Sequence, residues 1–113
     1  MGRVTEMNAF AAISEPTRRA ILDLVLERPR SVGEISKEFP GISQPGISKH
    51  LRALRRANLV KVTIKAQKRV YSLNDSGFQE INEWISKYQK FWSQRLDNLQ
   101  VFLDSARDQE NKS

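Results

Sequence analysis

Apolar residues in the first thirty positions recur at the three- and four-residue spacing of amphipathic helices. A short first helix is predicted by four of them: Met7, Phe10, Ala11 and Ile13. A second helix is expected to begin at Ser14, which is a favourable N-cap, with Pro16 in its opening turn. Its apolar stripe continues to about Glu27 and Pro29 ends it, so we expect this helix to pack mainly into the core.

Two further helices are predicted close together in the middle of the chain. Ser31 and Glu34 form the capping-box pattern of a helix start, and Pro40-Gly41 breaks this third helix. Ser43 can cap a fourth helix that has Pro45 in its first turn. The inward positions of these two helices are Val32, Ile35, Phe39, Ile47, Leu51 and Leu54. Two short helices joined by a tight turn predict a helix-turn-helix, whose second helix exposes its outer face.

The pattern changes to strict alternation after Asn58, which is expected to end the fourth helix because asparagine tolerates the left-handed conformation. Val60, Val62 and Ile64 alternate with polar residues, and alternation resumes at 69–73 after a polar turn. A two-stranded β-hairpin fits this pattern. The expected fold is therefore mainly α, a winged helix-turn-helix in which this hairpin is the wing.

The last third of the chain has no proline, and its apolar residues keep a helical period throughout. This predicts one long amphipathic helix over 75–108, after a helix-turn-helix core and wing over 1–74 and before a polar tail over 109–113, in a single domain. The apolar stripe is wider than one small domain can cover, so we expect a homodimer interface there, with a ligand pocket as the alternative. The expected interface residues are Phe10, Ile81, Trp84, Ile85, Tyr88, Phe91, Trp92, Leu96, Leu99 and Leu103.

Charge separates the two parts of the chain. Residues 1–74 contain 14 Lys and Arg against 6 Asp and Glu, a net charge of +8, whereas residues 75–113 contain 5 against 7, a net charge of −2. Between Ser43 and Arg69 every charged side chain is a cation: Lys49, Arg52, Arg55, Arg56, Lys61, Lys65, Lys68 and Arg69. A local field of one sign suits a polyanion, so nucleic acid is the expected partner, with a solvated basic face as the alternative.

Composition argues against several other classes of protein. The absence of cysteine excludes disulfides and thiolate metal ligands. A single histidine, no glycine-rich phosphate loop and no paired carboxylates beside a base argue against an enzyme. No apolar stretch approaches the roughly 20 residues that cross a membrane, and the N-terminus lacks the apolar run of a secretory signal. A cytoplasmic protein without a membrane partner is therefore expected.

Three stretches of the chain resemble the ArsR-type winged-helix repressors of bacteria and archaea. Residues 10–22, FAAISEPTRRAIL, are similar to the opening motif F-x-A-L-x-D-P-T-R-x-x-I-L. Residues 42–60 resemble the recognition-helix signature S-Q-x-x-[VI]-S-x-H-L-x-x-L-x-x-A-G-L-V, with Asn58 where glycine is usual. Residues 84–103 look like the final helix of the metal-independent, SdpR-like autorepressor branch. The resemblance implies a homodimeric transcriptional repressor.

Better known members of this family sense metals, and the sequence departs from them. Their sites use a thiolate pair in the third helix, or histidine and carboxylates in the final helix. Here the final helix contains Glu80, Glu83 and Asp97 without a histidine, and His50 lies on the recognition helix. Carboxylates alone bind transition-metal ions weakly, so no metal and no cofactor is expected. A metal-responsive sensor with a non-thiolate site is an alternative.

With double-stranded DNA as partner, the first residues of the fourth helix are expected over base edges in the major groove. Gln44 is the first choice for direct readout because glutamine pairs with adenine N6 and N7, and Gly46 either permits a close approach or is merely small. His50 either contacts a phosphate or packs within its own chain. Phosphates should be the main contacts of five cations: Arg52, Arg55, Lys65, Lys68 and Arg69. The predicted DNA-binding residues are Ser43, Gln44, Gly46, Ser48, Lys49, His50, Arg52, Arg55, Lys65, Lys68 and Arg69.

Two other binding functions remain open at this point. Winged helices also serve as protein-interaction modules, although the lysines of the basic segment argue against this because protein interfaces are depleted in lysine. RNA binding is disfavoured because the basic helix lacks exposed aromatic residues that could stack on bases. The sequence therefore predicts a sequence-specific regulator that binds an inverted-repeat operator as a homodimer and represses transcription, its own gene included.

Overall fold

The computed structural model describes residues 8–111, which form five α-helices and one three-stranded antiparallel sheet. Met7, which was assigned to the first helix, lies outside the described residues. In chain order the elements are α1 (Ala9–Ile13), α2 (Pro16–Glu27), β1 (Arg30–Ser31), α3 (Val32–Lys37), α4 (Gln44–Arg56), β2 (Val60–Lys65), β3 (Lys68–Leu73) and α5 (Asp75–Asn111). The mainly α fold class and the helix-turn-helix formed by α3 and α4 agree with the sequence prediction.

The N-cap of α2 is Glu15, and the prediction of Ser14 was wrong by one residue. The Glu15 carboxylate accepts hydrogen bonds from the backbone N–H groups of Thr17 and Arg18, each at 3.3 Å. Ser14 instead ends α1, and its hydroxyl donates to the carbonyl of Ala11 at 2.6 Å. Only two residues, Ser14 and Glu15, lie between the two helices, so one polar residue closes α1 and the next opens α2.

The two helices of the helix-turn-helix have the caps that the sequence predicts. The Ser31 hydroxyl accepts from the Glu34 N–H at 3.2 Å, and the Glu34 carboxylate accepts from the Ser31 N–H at 3.1 Å, which completes the capping box. At the end of α4, Asn58 has a φ of 60° and the Leu59 N–H donates to the Leu54 carbonyl at 3.0 Å. This is a Schellman ending, and both leucines are fully buried. It turns the chain sharply from α4 into β2.

The wing is a three-stranded sheet with the strand order β1-β3-β2. The sequence predicted only the hairpin of β2 and β3, and the structure adds β1 as a third strand. In β1, Arg30 pairs with Tyr71 and Ser31 pairs with Val70. The hairpin of β2 and β3 closes through a two-residue turn in which Ala66 and Gln67 have φ values of 49° and 66°. Positive φ at both central positions is the pattern of a type I′ turn, whose twist matches that of the flanking strands.

A single apolar core joins α1 to α4 with the base of the wing. The largest side chains that are fully buried in it are Ile21, Ile35, Ile47, Leu51, Leu54, Leu59 and Val60. Partly buried residues packed against this core include Val32 of α3 and Phe39, which was predicted on the same helix but lies just beyond its C-cap Glu38. Val62, Phe78 and Ile81 also pack against it, which fixes the wing and the first turns of α5 on the domain.

Gly77, in the first turn of α5, sits directly on the end of the recognition helix. Its N–H donates to the carbonyl of Asn58 at 2.8 Å. A Cβ atom at this position would lie 2.6 Å from the carbonyl oxygens of both Ala57 and Asn58, well inside contact distance. The Asn74 N–H also donates to the Leu59 carbonyl at 2.9 Å. A residue without a side chain is therefore required for α5 to start where it does.

The chain divides into two compact units within α5, after Ile81. The second unit begins at Asn82 and consists of the rest of this helix, which continues to Asn111, three residues into the segment assigned to the polar tail. Gln109 and Glu110 are good helix formers and no glycine or proline interrupts them. Over residues 8–111 no helix combines the length and apolarity that a membrane span needs.

Candidate nucleic-acid interface

The N-terminal end of α4 carries the polar residues predicted to read bases. Ser43 is the N-cap, and its hydroxyl oxygen accepts from the Gly46 N–H at 3.2 Å. Gln44 is the first residue of the helix and is exposed. Gly46 has a local packing role, because a Cβ there would lie 2.9 Å from Cγ2 of Ile42. The turn between α3 and α4 therefore presents Gln44 to the exterior while Ile42 is held against the helix.

Three other predicted residues share one face of α4. Ser48, Arg52 and Arg55 follow one another at spacings of four and three, each one position after a fully buried residue of the core stripe. This face borders a cleft between α4 and the wing, with a volume of about 280 Å³, which we call the α4–wing cleft. It is lined by Val32, Ser48, Arg52, Arg55, Arg69 and Tyr71. Lys49 lies outside this lining and is exposed.

The register of the wing decides which of its cations face the helix. Lys65 and Lys68 pair across the tip of the hairpin and are exposed. Arg69 shares a face with Tyr71, since side chains two apart on a strand point the same way, and Tyr71 is 93% buried against the core. Arg69 therefore lies on the inner side of the wing, where it lines the α4–wing cleft, and together with Lys68 it also lines a second depression beside the start of α3.

The described arginines before residue 43 differ in their partners from the cations after it. Before residue 43, four described arginines each donate to a protein acceptor: Arg18 to His50, Arg19 to the Ile13 carbonyl, Arg28 to Glu34, and Arg30 to Glu27. Among residues 8–111, none of the eight cations between Lys49 and Arg69 has a salt bridge or side-chain hydrogen bond. We call these eight the free cations. Such a cluster lacks internal neutralisation and favours an anionic partner.

His50 is joined to α2 by its Nδ1 atom. This nitrogen accepts from Nε of Arg18 at 3.3 Å and lies 3.6 Å from a carboxylate oxygen of Glu15. Burial raises the pKa of the Glu15 carboxyl, but hydrogen bonds from the backbone N–H groups of Thr17 and Arg18 lower it, and the pKa lies below its ordinary value. Since Nδ1 is engaged, a phosphate contact by His50 has to come from Nε2.

The residues predicted to form a dimer interface fall into two groups. Ile81 packs against the core of the first unit, and Phe10 is 36% exposed on α1. The others lie on α5 within the second unit and are between 45% and 61% exposed: Trp84, Ile85, Tyr88, Phe91, Trp92, Leu96, Leu99 and Leu103. The rings of Trp84 and Tyr88 contact at a centroid distance of 5.2 Å, and the Arg95 guanidinium lies 4.7 Å from the Phe91 centroid. These contacts give the stripe a defined aromatic surface.

Within residues 8–111, no three His, Asp or Glu side chains come together in a way that could hold a metal ion.

A helix-turn-helix followed by a wing, with free cations on both, defines the class of winged-helix DNA-binding regulators. The model of the family described as bacterial regulatory protein, arsR family, matches residues 15–62. The chain is 32% identical over 100 residues to the HTH-type transcriptional regulator Rv2034 of Mycobacterium tuberculosis, covering 88% of this chain and 90% of that one. It is 41% identical over 81 residues to the transcriptional repressor SdpR of Bacillus subtilis, covering 72% and 89%.

A solved structure agrees with these relatives. The ArsR family transcriptional regulator RHA00566 superposes with a TM-score of 0.66 at 26% identity, covering 75% of this chain and 92% of that one. The chain therefore belongs to the ArsR family and is a DNA-binding transcriptional regulator, not an enzyme. The resemblance, the winged-helix fold and the non-enzymatic class that the sequence predicted are confirmed.

Proposed function

We propose that this protein is a homodimeric repressor that binds an inverted-repeat operator in double-stranded DNA and blocks transcription by occupying a promoter, its own included. The first residues of α4 read base edges in the major groove, and the wing lysines hold the flanking backbone. The protein acts in the cytoplasm with the DNA that it regulates. The similarity to a relative named as a transcriptional repressor supports repression, as opposed to activation, of transcription.

One observation carries the proposal. Eight cations without a protein partner lie on α4 and the wing, the elements that a winged helix applies to a duplex, whereas the described arginines before residue 43 are paired. Binding to a phosphate backbone neutralises such cations and releases the counterions condensed on the DNA. The same arrangement gives a protein partner little to recognise, because lysines are depleted at protein interfaces.

The homodimer is supported by the exposure of the α5 stripe. Its aromatic and aliphatic side chains remain about half exposed in a single chain, which is unusual for so many large apolar residues on one helix face. A second copy that covers this stripe buries it by two-fold symmetry. Two recognition helices can then enter successive major grooves about 34 Å apart, which requires an operator with two inverted half-sites.

The proposal is tested by selecting bound fragments from genomic DNA with the purified full chain. We expect enrichment of sequences with two inverted half-sites, one of them upstream of the protein's own gene. Duplex affinity should fall steeply with added salt, because several phosphate contacts form at once. Enrichment of no common sequence, or binding that is insensitive to salt, contradicts a sequence-specific DNA-binding function.

Two substitutions distinguish direct readout of bases from contact with the DNA backbone. Gln44→Ala should reduce discrimination between operator and random duplex by about 10-fold, since one good base contact contributes on the order of 1–3 kcal/mol. Lys68→Ala should weaken all duplexes alike and lower the salt slope by about 1. Fluorescence anisotropy on matched operator and random duplexes measures both effects, and Lys37→Ala removes a cation of α3 as the control. Equal losses on both duplexes for Gln44→Ala would remove Gln44 from direct readout.

A further inference from the structure

His50, the single histidine of the chain, lies where α4 meets the start of α2. Its Nδ1 atom accepts from Nε of Arg18 at 3.3 Å and lies 3.6 Å from Oε2 of Glu15. We call these three residues the His50 cluster. Within residues 8–111, no other side chain of α4 has a hydrogen bond or an ion pair with a residue outside that helix. The cluster is therefore the polar link between the recognition helix and α2.

The two contacts of Nδ1 require opposite protonation states. A nitrogen that accepts from Arg18 has no proton of its own, so the neutral imidazole carries its proton on Nε2. With a proton, Nδ1 becomes a donor, for which the Glu15 carboxylate is the acceptor, and the imidazolium repels the Arg18 guanidinium. Uptake of one proton by Nδ1 therefore exchanges Arg18 for Glu15 as its partner.

Within residues 8–111, only Glu15 and Arg18 bring a charge into contact with the imidazole. α1 also packs against α4, and it contains no charged residue. α3 and β2 pack against α4 too, but none of their charged side chains has an ion pair or a hydrogen bond with His50. The residues three and four positions away on α4 are uncharged: Gly46, Ile47, Ala53 and Leu54. Glu15 and Arg18 therefore decide between the two states.

The site keeps an ionised acceptor ready for a protonated imidazole. Histidine is the side chain that ordinarily changes its charge between pH 5 and 8. Burial raises the pKa of Glu15, but backbone hydrogen bonds hold it below its ordinary value, so this carboxyl stays ionised over that range. The side chains of His50 and Glu15 are 22% and 37% exposed, so solvent screens their attraction only in part.

We infer that Glu15 and Arg18 are positioning residues for His50 and make binding to a DNA duplex depend on protonation. At high pH, Arg18 holds the imidazole neutral with its proton on Nε2. At low pH, Nδ1 takes a proton from solvent, pairs with Glu15 and releases the Arg18 guanidinium, so the recognition helix gains one positive charge. A polyanion binds the more positive form more tightly, and by linkage DNA binding takes up a proton. The effect on the duplex rests on the proposed function, whereas the exchange at Nδ1 does not.

The first experiment uses the full chain without DNA and follows its only histidine by nitrogen NMR between about pH 8 and about pH 5. At the upper end the spectrum should show an unprotonated Nδ1 and a protonated Nε2. As the pH falls, the Arg18 Nε–H signal should change with the same midpoint as the imidazole. A proton on Nδ1 at high pH, or independent titration of the two groups, overturns the inference.

Three variants identify which groups control the exchange. Glu15→Gln keeps a side-chain oxygen that can cap α2, but the imidazole should take up its proton at a lower pH because the charged form has lost its anion. Arg18→Met should move the uptake to a higher pH because the neutral form has lost its donor. Asp23→Asn, which removes an exposed carboxylate from α2, should match the native chain. Circular dichroism checks that each variant is folded, and equal midpoints in all four proteins overturn the inference.

The second experiment measures duplex affinity by fluorescence anisotropy at both ends of this pH range and at constant ionic strength. The native chain and Asp23→Asn should bind about 5-fold more tightly at low pH, a coupling at the lower end of those between linked sites. In His50→Gln this dependence should disappear. A pH dependence that survives in His50→Gln overturns the link to DNA and leaves the proposed function standing. Failure to bind any duplex at either pH contradicts the proposed function, and the NMR result then decides the exchange at Nδ1 by itself.

Discussion

At the scale of single residues, the turn of the wing stores strain that a substitution can relieve. Ala66 and Gln67 occupy the left-handed region, where a residue with a side chain costs roughly 1–2 kcal/mol. Asparagine followed by glycine is the preferred pair for a type I′ turn. The double substitution Ala66→Asn with Gln67→Gly should therefore raise the free energy of unfolding by about 1 kcal/mol in urea titrations. Ala66→Val should lower it, and a stabilising valine would contradict the turn type.

The capping box of α3 makes stability depend on pH. The hydrogen bond from the Ser31 N–H and the Arg28 guanidinium, 2.9 Å away, lower the pKa of Glu34 to about 2. A carboxyl whose folded pKa is below its unfolded value of 4.5 stabilises the fold fully above that pH and loses the contribution as the pH falls towards 2. Thermal unfolding should thus show Glu34→Gln less stable than the native chain at pH 7, with the difference shrinking below pH 4.5. Glu38→Gln, at the C-cap of the same helix, serves as the control, and a difference that persists at pH 2.5 would contradict the assignment.

Residue-level signals in the sequence were reliable where the partners are close in the chain. Ser31 with Glu34, and Asn58 with its left-handed φ, were predicted because caps depend on residues within one turn. The N-cap of α2 was misassigned because Ser14 and Glu15 can both cap, and the choice depends on where α1 ends. His50 could not be placed from sequence, since the partners of its Nδ1 lie on α2, more than thirty residues earlier.

At the scale of elements, the contact between α5 and the end of α4 gives a sharp prediction. Gly77→Ala places a methyl group 2.6 Å from two carbonyl oxygens, and these atoms belong to a helix end that is fixed by its own hydrogen bonds. Overpacking of this kind costs roughly 1–3 kcal/mol. Gly41→Ala is the matched control, because its Cβ would meet nothing within 4 Å. If urea unfolding shows equal stability for the two variants, the close approach of α5 to α4 is wrong.

Two features of the secondary-structure elements could not be predicted from the sequence, for physical reasons. β1 has only two residues, Arg30 and Ser31, and exists because β3 offers it backbone partners, so no alternation could reveal it. Arg69 was predicted to contact DNA as part of the wing, but its position in the α4–wing cleft follows from the pairing of β2 with β3. That pairing is a property of the folded sheet, in which a shift by one residue would move Arg69 to the other face.

At the scale of the whole molecule, the proposed homodimer is tested on α5. Trp92 is 59% exposed at the middle of the stripe, and its removal deletes a large part of the surface that a second copy would cover. Trp92→Ala should change the mass measured by light scattering from that of a dimer to that of a monomer at micromolar concentration. Val101→Ala, at an exposed apolar position of the same helix outside the predicted interface, should leave the mass unchanged. A dimeric Trp92→Ala protein would mean that another surface holds the copies together.

Both tryptophans of the chain, Trp84 and Trp92, lie on this stripe beyond Ile81, and the first unit has none. Their emission spectrum consequently reports on the solvent around α5 alone. Dilution that separates two copies should shift the emission to longer wavelengths while the far-ultraviolet circular dichroism stays constant. Titration with DNA can be followed in the same cuvette, so the protein carries its own optical probe for the question of whether association precedes binding to the operator.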